Sequence, residues 1–150
     1  MPLVLQSDSF EDGQEIPRKY GYKNGNSSPS LKISGIPPET KSLVLIMDDP
    51  DAMGAAGKIW VHWLVWNITP SSANFEEDSI PKGAVEGKTD FGGVGYGGPA
   101  PPDKEHTYIF KLYALDIVLD LPADSEKNQV EDSIKNHIIE ETKLEGRYAP

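Results

Sequence analysis

Cysteine is absent from the chain, which excludes disulfides and every thiolate metal site. Its absence fits a reducing compartment. Basic residues are scarce: 14 Lys and Arg stand against 24 Asp and Glu, a formal charge of −10. Nucleic-acid binding runs on phosphate neutralisation by Lys and Arg, so a thinly basic chain argues against it. Anionic membrane surfaces repel such a chain as well. Long apolar runs are also missing. The longest is interrupted by His62 and Asn67, well short of the roughly 20 residues a spanning helix needs. The first residues, Met1-Pro2-Leu3-Val4-Leu5-Gln6-Ser7-Asp8, carry neither a basic nor a long apolar region. No secretory signal is expected, and a cytoplasmic location is. The remaining partners are small molecules or basic protein surfaces.

Glycine and proline are plentiful, at 14 and 13 of 150 residues. That suggests many turns between strands, in one domain spanning 1–150. Residues 1–42 read as loops around short strands such as 30–33. A strand is predicted over 42–47, closed by the turn Asp48-Asp49-Pro50-Asp51. A near-continuous apolar strand, 59–68, carries the three tryptophans and belongs mid-sheet. Residues 69–105 form a long irregular region, read as an ordered, packed loop because Phe91 and Tyr96 lie within it. A second central strand covers 107–119. Ser125 reads as the N-cap of a helix to about Leu144, with Gly146 as its stop and Val130, Ile134 and Ile138 as its apolar stripe. The class is a β-rich α+β domain.

Two of the three histidines interrupt apolar strands: His62 within Trp60-Val61-His62-Trp63-Leu64, and His106 at the head of His106-Thr107-Tyr108-Ile109-Phe110. Strand alternation puts His106, Tyr108, Phe110 and Leu112 on one face, and Trp60, His62, Leu64 and Trp66 on one face of the other strand. If these strands are neighbours, the imidazoles meet over an aromatic floor, with carboxylates from Asp49 and Asp51 nearby. Imidazole N–H, the Tyr108 O–H and a backbone nest at Gly97-Gly98 would suit a small anion. Asp49 either orients a histidine and raises its pKa, or accepts from an amine head group. Plainer readings compete. A buried histidine is commonly a hydrogen-bonded core residue, and Asp-Asp-Pro-Asp is an ordinary turn. His and Asp could hold zinc, but no close His–His spacing supports a metal. Gly-x-Ser-x-Gly is absent, and Gly92-Gly93-Val94-Gly95 opens no helix, so neither a serine hydrolase nor a dinucleotide site is expected.

These residues resemble the phosphatidylethanolamine-binding protein family in its short bacterial and archaeal, Raf-kinase-inhibitor-like branch. Asp48-Asp49-Pro50-Asp51-Ala52 after an apolar strand is similar to the family's first signature. Trp60-Val61-His62 is similar to its Trp-x-His strand. Gly97-Gly98-Pro99-Ala100-Pro101-Pro102, followed by His106-Thr107-Tyr108, resembles the second signature. The resemblance implies an antiparallel β-sandwich with a peripheral C-terminal helix and a small anion pocket. It places the pocket acid at Asp49, the histidines at His62 and His106, the aromatic wall at Tyr108 and the rim at Gly98-Pro99. It implies a non-enzymatic binder of phosphate-like or phospholipid head groups, without cofactor. Homodimers and inhibition of kinases or serine proteases are known in the family, so an inhibitor acting through a protein surface is the alternative. A weak hydrolase built on His62, His106 and Asp49 is a third reading.

Three positions depart from the family pattern. Met53 replaces a proline. A cis Ala52–Met53 bond would cost about 2.5–4 kcal/mol, so a trans bond and a reshaped rim are expected. Lys104 stands where a glycine is usual. Thr107 replaces an arginine and by alternation faces away from His106.

Overall fold

The computed structural model describes residues 1–150. In chain order the strands are β1 (Val4–Gln6), β2 (Lys32–Ser34), β3 (Ser42–Asp49), β4 (Trp60–Ile68), β5 (Val85–Glu86), β6 (His106–Leu115) and β7 (Ile138–Tyr148). The helices are α1 (Met53–Ala56) and α2 (Lys127–Ile134). Five strands form one antiparallel sheet in the order β5-β4-β3-β6-β7, and β1 pairs with β2 in a small second sheet. The class is mainly β, as the sequence led us to expect.

β3 is the central strand, and all eight of its residues are buried. Alternation divides them. Leu43, Leu45 and Met47 join a core beneath β1, β2, Phe10, Ile16 and Tyr20. Val44 and Ile46 join a smaller core under α2, with Leu64, Trp66, Val130 and Ile134. Burial on both faces explains why β3 and β4 read as continuous apolar runs. β4 is covered at its outer edge mainly by irregular chain. Gly87 N–H donates to Leu64 O, Asp90 N–H to Val61 O and Gly97 N–H to His62 O. The long irregular region is therefore a docked edge of the sheet.

The expected helix over 125–144 is shorter and its C-terminal part is a strand. Glu126, not Ser125, caps α2. Its side chain takes the N3 peptide N–H while Gln129 Oε1 accepts from Glu126 N–H at 2.8 Å. Asn136 then adopts φ +70°, and the chain turns into β7, which pairs with β6 from His106↔Tyr148 to Leu115↔Ile138. Leu144, Gly146 and Tyr148 are buried at period two, and Ile138 is exposed. Long-range ladder formation overrides the helix propensity of the Glu- and Lys-rich segment. Gly146 stops no helix: a Cβ there would stand 2.5 Å from Ile16 Cγ1.

Asp48 and Asp49 point to opposite sides of the sheet. Asp48 is buried, and its Oδ2 accepts from Lys111 Nζ at 2.9 Å and from Lys127 Nζ at 2.8 Å. That clamp ties β3 to β6 and to α2. Asp49 faces the other way, into the site.

Candidate functional site

His62 reaches the same side of the sheet as the large core through a β-bulge. Met47 pairs with Trp63, but Asp48 pairs with Val61, leaving His62 as the extra residue. His62 and Trp63 thus both face that side, and alternation restarts. The expectation that Trp60, His62, Leu64 and Trp66 share one face fails at this bulge, because Leu64 and Trp66 pack under α2. The two histidine strands are not neighbours either, since β3 lies between them. Tyr108 bridges the gap. Its ring centroid is 5.1 Å from that of His62 and 6.3 Å from that of His106.

Asp49, His62, His106 and Tyr108 line one cavity of about 190 Å³. Trp60, Phe91 and the alanines Ala52, Ala55 and Ala56 form most of the apolar wall. The alanine wall comes from a helical turn begun by Asp49, whose Oδ1 accepts from Asp51 N–H at 2.9 Å. Pro50–Ala52 is 3₁₀ and runs directly into α1, with Ala52–Met53 trans, as every peptide bond here is. Phe91 stacks on Tyr22 at 4.1 Å and meets His62 edge-on at 5.4 Å. Four other hollows are larger, at about 250, 390, 440 and 450 Å³, and none has a histidine in its lining.

The remaining expected residues lie outside the lining. Asp51 Oδ2 accepts from Thr107 N–H at 2.8 Å and so ties the turn to the start of β6. Gly98 N–H donates to Asn26 Oδ1 at 2.7 Å, and Gly97 N–H is spent on His62 O. The proposed backbone nest therefore has no free donors. These glycines serve close packing instead. A Cβ on Gly97 would lie 2.3 Å from the Phe91 ring, and one on Gly98 would lie 2.0 Å from Tyr20 O. Pro99 borders a separate hollow beside Arg18 and Lys23.

The surroundings push the two imidazoles in opposite directions. His62 Nδ1 lies 2.6 Å from Gly97 O, which can only accept, so Nδ1 carries the hydrogen. Burial pulls the His62 pKa below its ordinary value, against the smaller opposing pull of Gly97 and Asp49. Burial thus favours the neutral ring, with Nε2 as a lone pair that no protein donor occupies. His106 is held from both sides. Nδ1 lies 2.7 Å from Asp49 Oδ2, and Nε2 lies 2.7 Å from Asp103 Oδ1. Burial alone would lower its pKa, but the hydrogen bonds to Asp49 and Asp103 outweigh it and raise it. A carboxylate oxygen facing each nitrogen favours the doubly protonated, imidazolium form. Burial, reinforced by the Asp49 charge, pushes the Tyr108 phenol up, so it stays a donor. Its hydroxyl is buried and makes no well-formed hydrogen bond, with the Asp49 carboxylate and the Ala100 peptide as its polar neighbours.

Asp103 escaped the sequence reading. Its signal is the i, i+3 spacing to His106 across a tight bend, which resembles any charged loop until the ring's direction is known. Phe91 and the alanines of α1 escaped for a similar reason: they belong to a loop and a one-turn helix whose docking no local pattern encodes.

A family model described as phosphatidylethanolamine-binding protein matches residues 6–149. A UPF0098 protein of Methanothermobacter thermautotrophicus is 44% identical, covering 97% of this chain and 98% of the relative. One from Chlamydia trachomatis is 40% identical over 97% and 98%. Among solved structures, the homologue CT736 of Chlamydia trachomatis superposes with a TM-score of 0.92 at 39% identity, covering 98% and 97% of the two chains. Escherichia coli YbcL gives 0.91 at 31%, over 99% and 98%. No helix is long and apolar enough to cross a membrane.

Proposed function

The chain belongs to the phosphatidylethanolamine-binding protein family, and from that premise we propose that it binds a small oxyanion, a phosphate or a phosphate-bearing head group, in the His62–His106 cavity, without turning it over. The observation that supports this reading is the convergence of His62, His106 and Tyr108, three hydrogen-bonding side chains, on one cavity of about 190 Å³. A guest oxygen that accepts from the Tyr108 hydroxyl, which makes no well-formed hydrogen bond of its own, would recover part of the cost of burying it. A singly protonated phosphate also suits His62, because its O–H can donate to the free Nε2 while its other oxygens accept. The cavity offers no Ser, Thr, Cys or Lys as a nucleophile, which favours binding over turnover. At 190 Å³ it is below the usual range for a drug-sized ligand, about 300–1,000 Å³, and in keeping with a head group.

Inorganic phosphate and phosphoethanolamine are expected to raise the melting temperature, and His62→Ala is expected to abolish the shift. An unchanged shift in the variant would put the anion elsewhere. Binding is expected to be tighter at pH 6 than at pH 8. The raised pKa of His106 keeps its charge at and below its ordinary titration range, and the charge is lost as pH rises through the raised value. Sulfate, whose charge is constant over this interval, separates the protein's titration from that of phosphate. Flat sulfate affinity would remove the imidazolium from the account.

A further inference from the structure

Asp103 occupies the donor that an oxyanion would need. With Asp49 on Nδ1 and Asp103 on Nε2, the His106 imidazolium has no N–H left for a guest. The two carboxylates are held very differently. Asp49 is buried, with 4% side-chain exposure, and its other oxygen caps the following turn. Asp103 is 43% exposed, sits in the irregular segment after Pro102, and has His106 as its only side-chain partner. It can leave for water by giving up the His106 bond and weaker ones to the Lys104 and Asp103 peptide N–H groups. The free site also carries one positive charge, on His106, against two negative ones, on Asp49 and Asp103, an arrangement that discourages anions while Asp103 stays in place.

We propose that Asp103 is a built-in stand-in for the anionic guest: it fills the outer imidazolium donor in the free protein, and an oxyanion enters by displacing it. Asp103 thereby decides what the cavity accepts. Every guest that needs the His106 Nε2–H bears the same displacement cost, whatever its own charge. A guest that needs no such donor, an ammonium for example, bears none and is attracted by the carboxylate. Removing Asp103 therefore tightens all oxyanions by one common factor, whereas plain relief of charge repulsion would favour the more highly charged anion. This inference rests on the oxyanion reading of the cavity.

The experiment is a calorimetric titration of inorganic phosphate, of acetate and of ethanolamine at pH 5.5, below the ordinary histidine range, so that His106 keeps its charge when Asp103, one of the groups that raise its pKa, is removed. It compares wild type with Asp103→Ala, Asp103→Asn and Glu105→Gln. Glu105 is the charge control: it lies two residues from Asp103, and its side chain pairs with Arg147 at 3.1 Å and makes no hydrogen bond to the His106 ring. In Asp103→Ala, phosphate and acetate should both tighten about tenfold, by equal factors, since a charge-assisted hydrogen bond is released. Ethanolamine should weaken or stay unchanged. Asp103→Asn, which keeps a weaker acceptor, should fall between, and Glu105→Gln should stay within about twofold of wild type. Unchanged anion affinity in Asp103→Ala overturns the proposal. So does a Glu105→Gln gain of equal size, or a phosphate gain well above that of acetate. If neither wild type nor Asp103→Ala binds either anion at millimolar concentration, the oxyanion reading falls, and the displacement step falls with it.

Discussion

Changing Lys111 and Lys127 together to methionine is expected to cost about 3–5 kcal/mol of folding free energy, measured by urea denaturation at neutral pH. The reason is Asp48. It is 1% exposed, and both ammonium groups sit on its Oδ2, at 2.9 and 2.8 Å. Its Oδ1 is buried with no partner at all. Removing both lysines leaves a desolvated carboxylate with nothing to balance it, the expensive way to break a buried ion pair. Either single change should cost much less, because the remaining lysine still neutralises the charge. Adding Asp48→Leu to the double variant should restore most of the loss, since a well-packed apolar group replaces a buried charge at little cost. A double variant within about 1 kcal/mol of wild type would mean that water reaches Asp48. The clamp sits on the far side of β3 from the cavity, so the variant's folded fraction should still bind phosphate with unchanged affinity.

Tyr108→Phe is expected to move stability and binding in opposite directions. The hydroxyl is buried and makes no well-formed hydrogen bond, so deleting it should leave the fold unchanged or stabilise it by about 1 kcal/mol. Phosphate affinity should fall about tenfold, because a hydrogen bond from a neutral donor to a charged acceptor is lost, worth about 1.5 kcal/mol or more. Paired denaturation and calorimetry on the same preparation check both. Loss of stability with unaltered affinity would make Tyr108 an ordinary core residue and remove one support for the oxyanion reading. The crossed result matters because a mutation that merely damages the fold cannot produce it.

The central strands are legible in the sequence because each buries both faces, and that leaves continuous apolar runs. The histidines stand out against those runs for the same reason. What the sequence conceals is the route by which the pocket side chains arrive in one cavity. His62 turns inward through a bulge, a one-residue register change that has no composition signal. β3 separates the two histidine strands, and only the ladder order reveals that Tyr108 spans the interval. The C-terminal segment misleads because Glu and Lys at 140–145 favour a helix locally. Pairing with ten residues of β6 decides otherwise, and the period-two burial of Leu144, Gly146 and Tyr148 records it. The Asp48-Asp49-Pro50-Asp51 turn reads as one motif, yet its three acids do three jobs: a fold clamp, the His106 partner and a tie to β6. Alternation separates Asp48 from Asp49; no local rule separates Asp49 from Asp51.

The most direct measurement is a phosphate titration followed by nitrogen-15 NMR of the imidazole rings. The chain has three histidines, and His137 is a natural control, half-exposed and paired with Asp116 at 2.8 Å away from the cavity. Saturable shifts at His62 and His106, with a single shared dissociation constant and a silent His137, are the expected result. Shifts at His137 alone, or at no ring while phosphate still stabilises the protein, would contradict it.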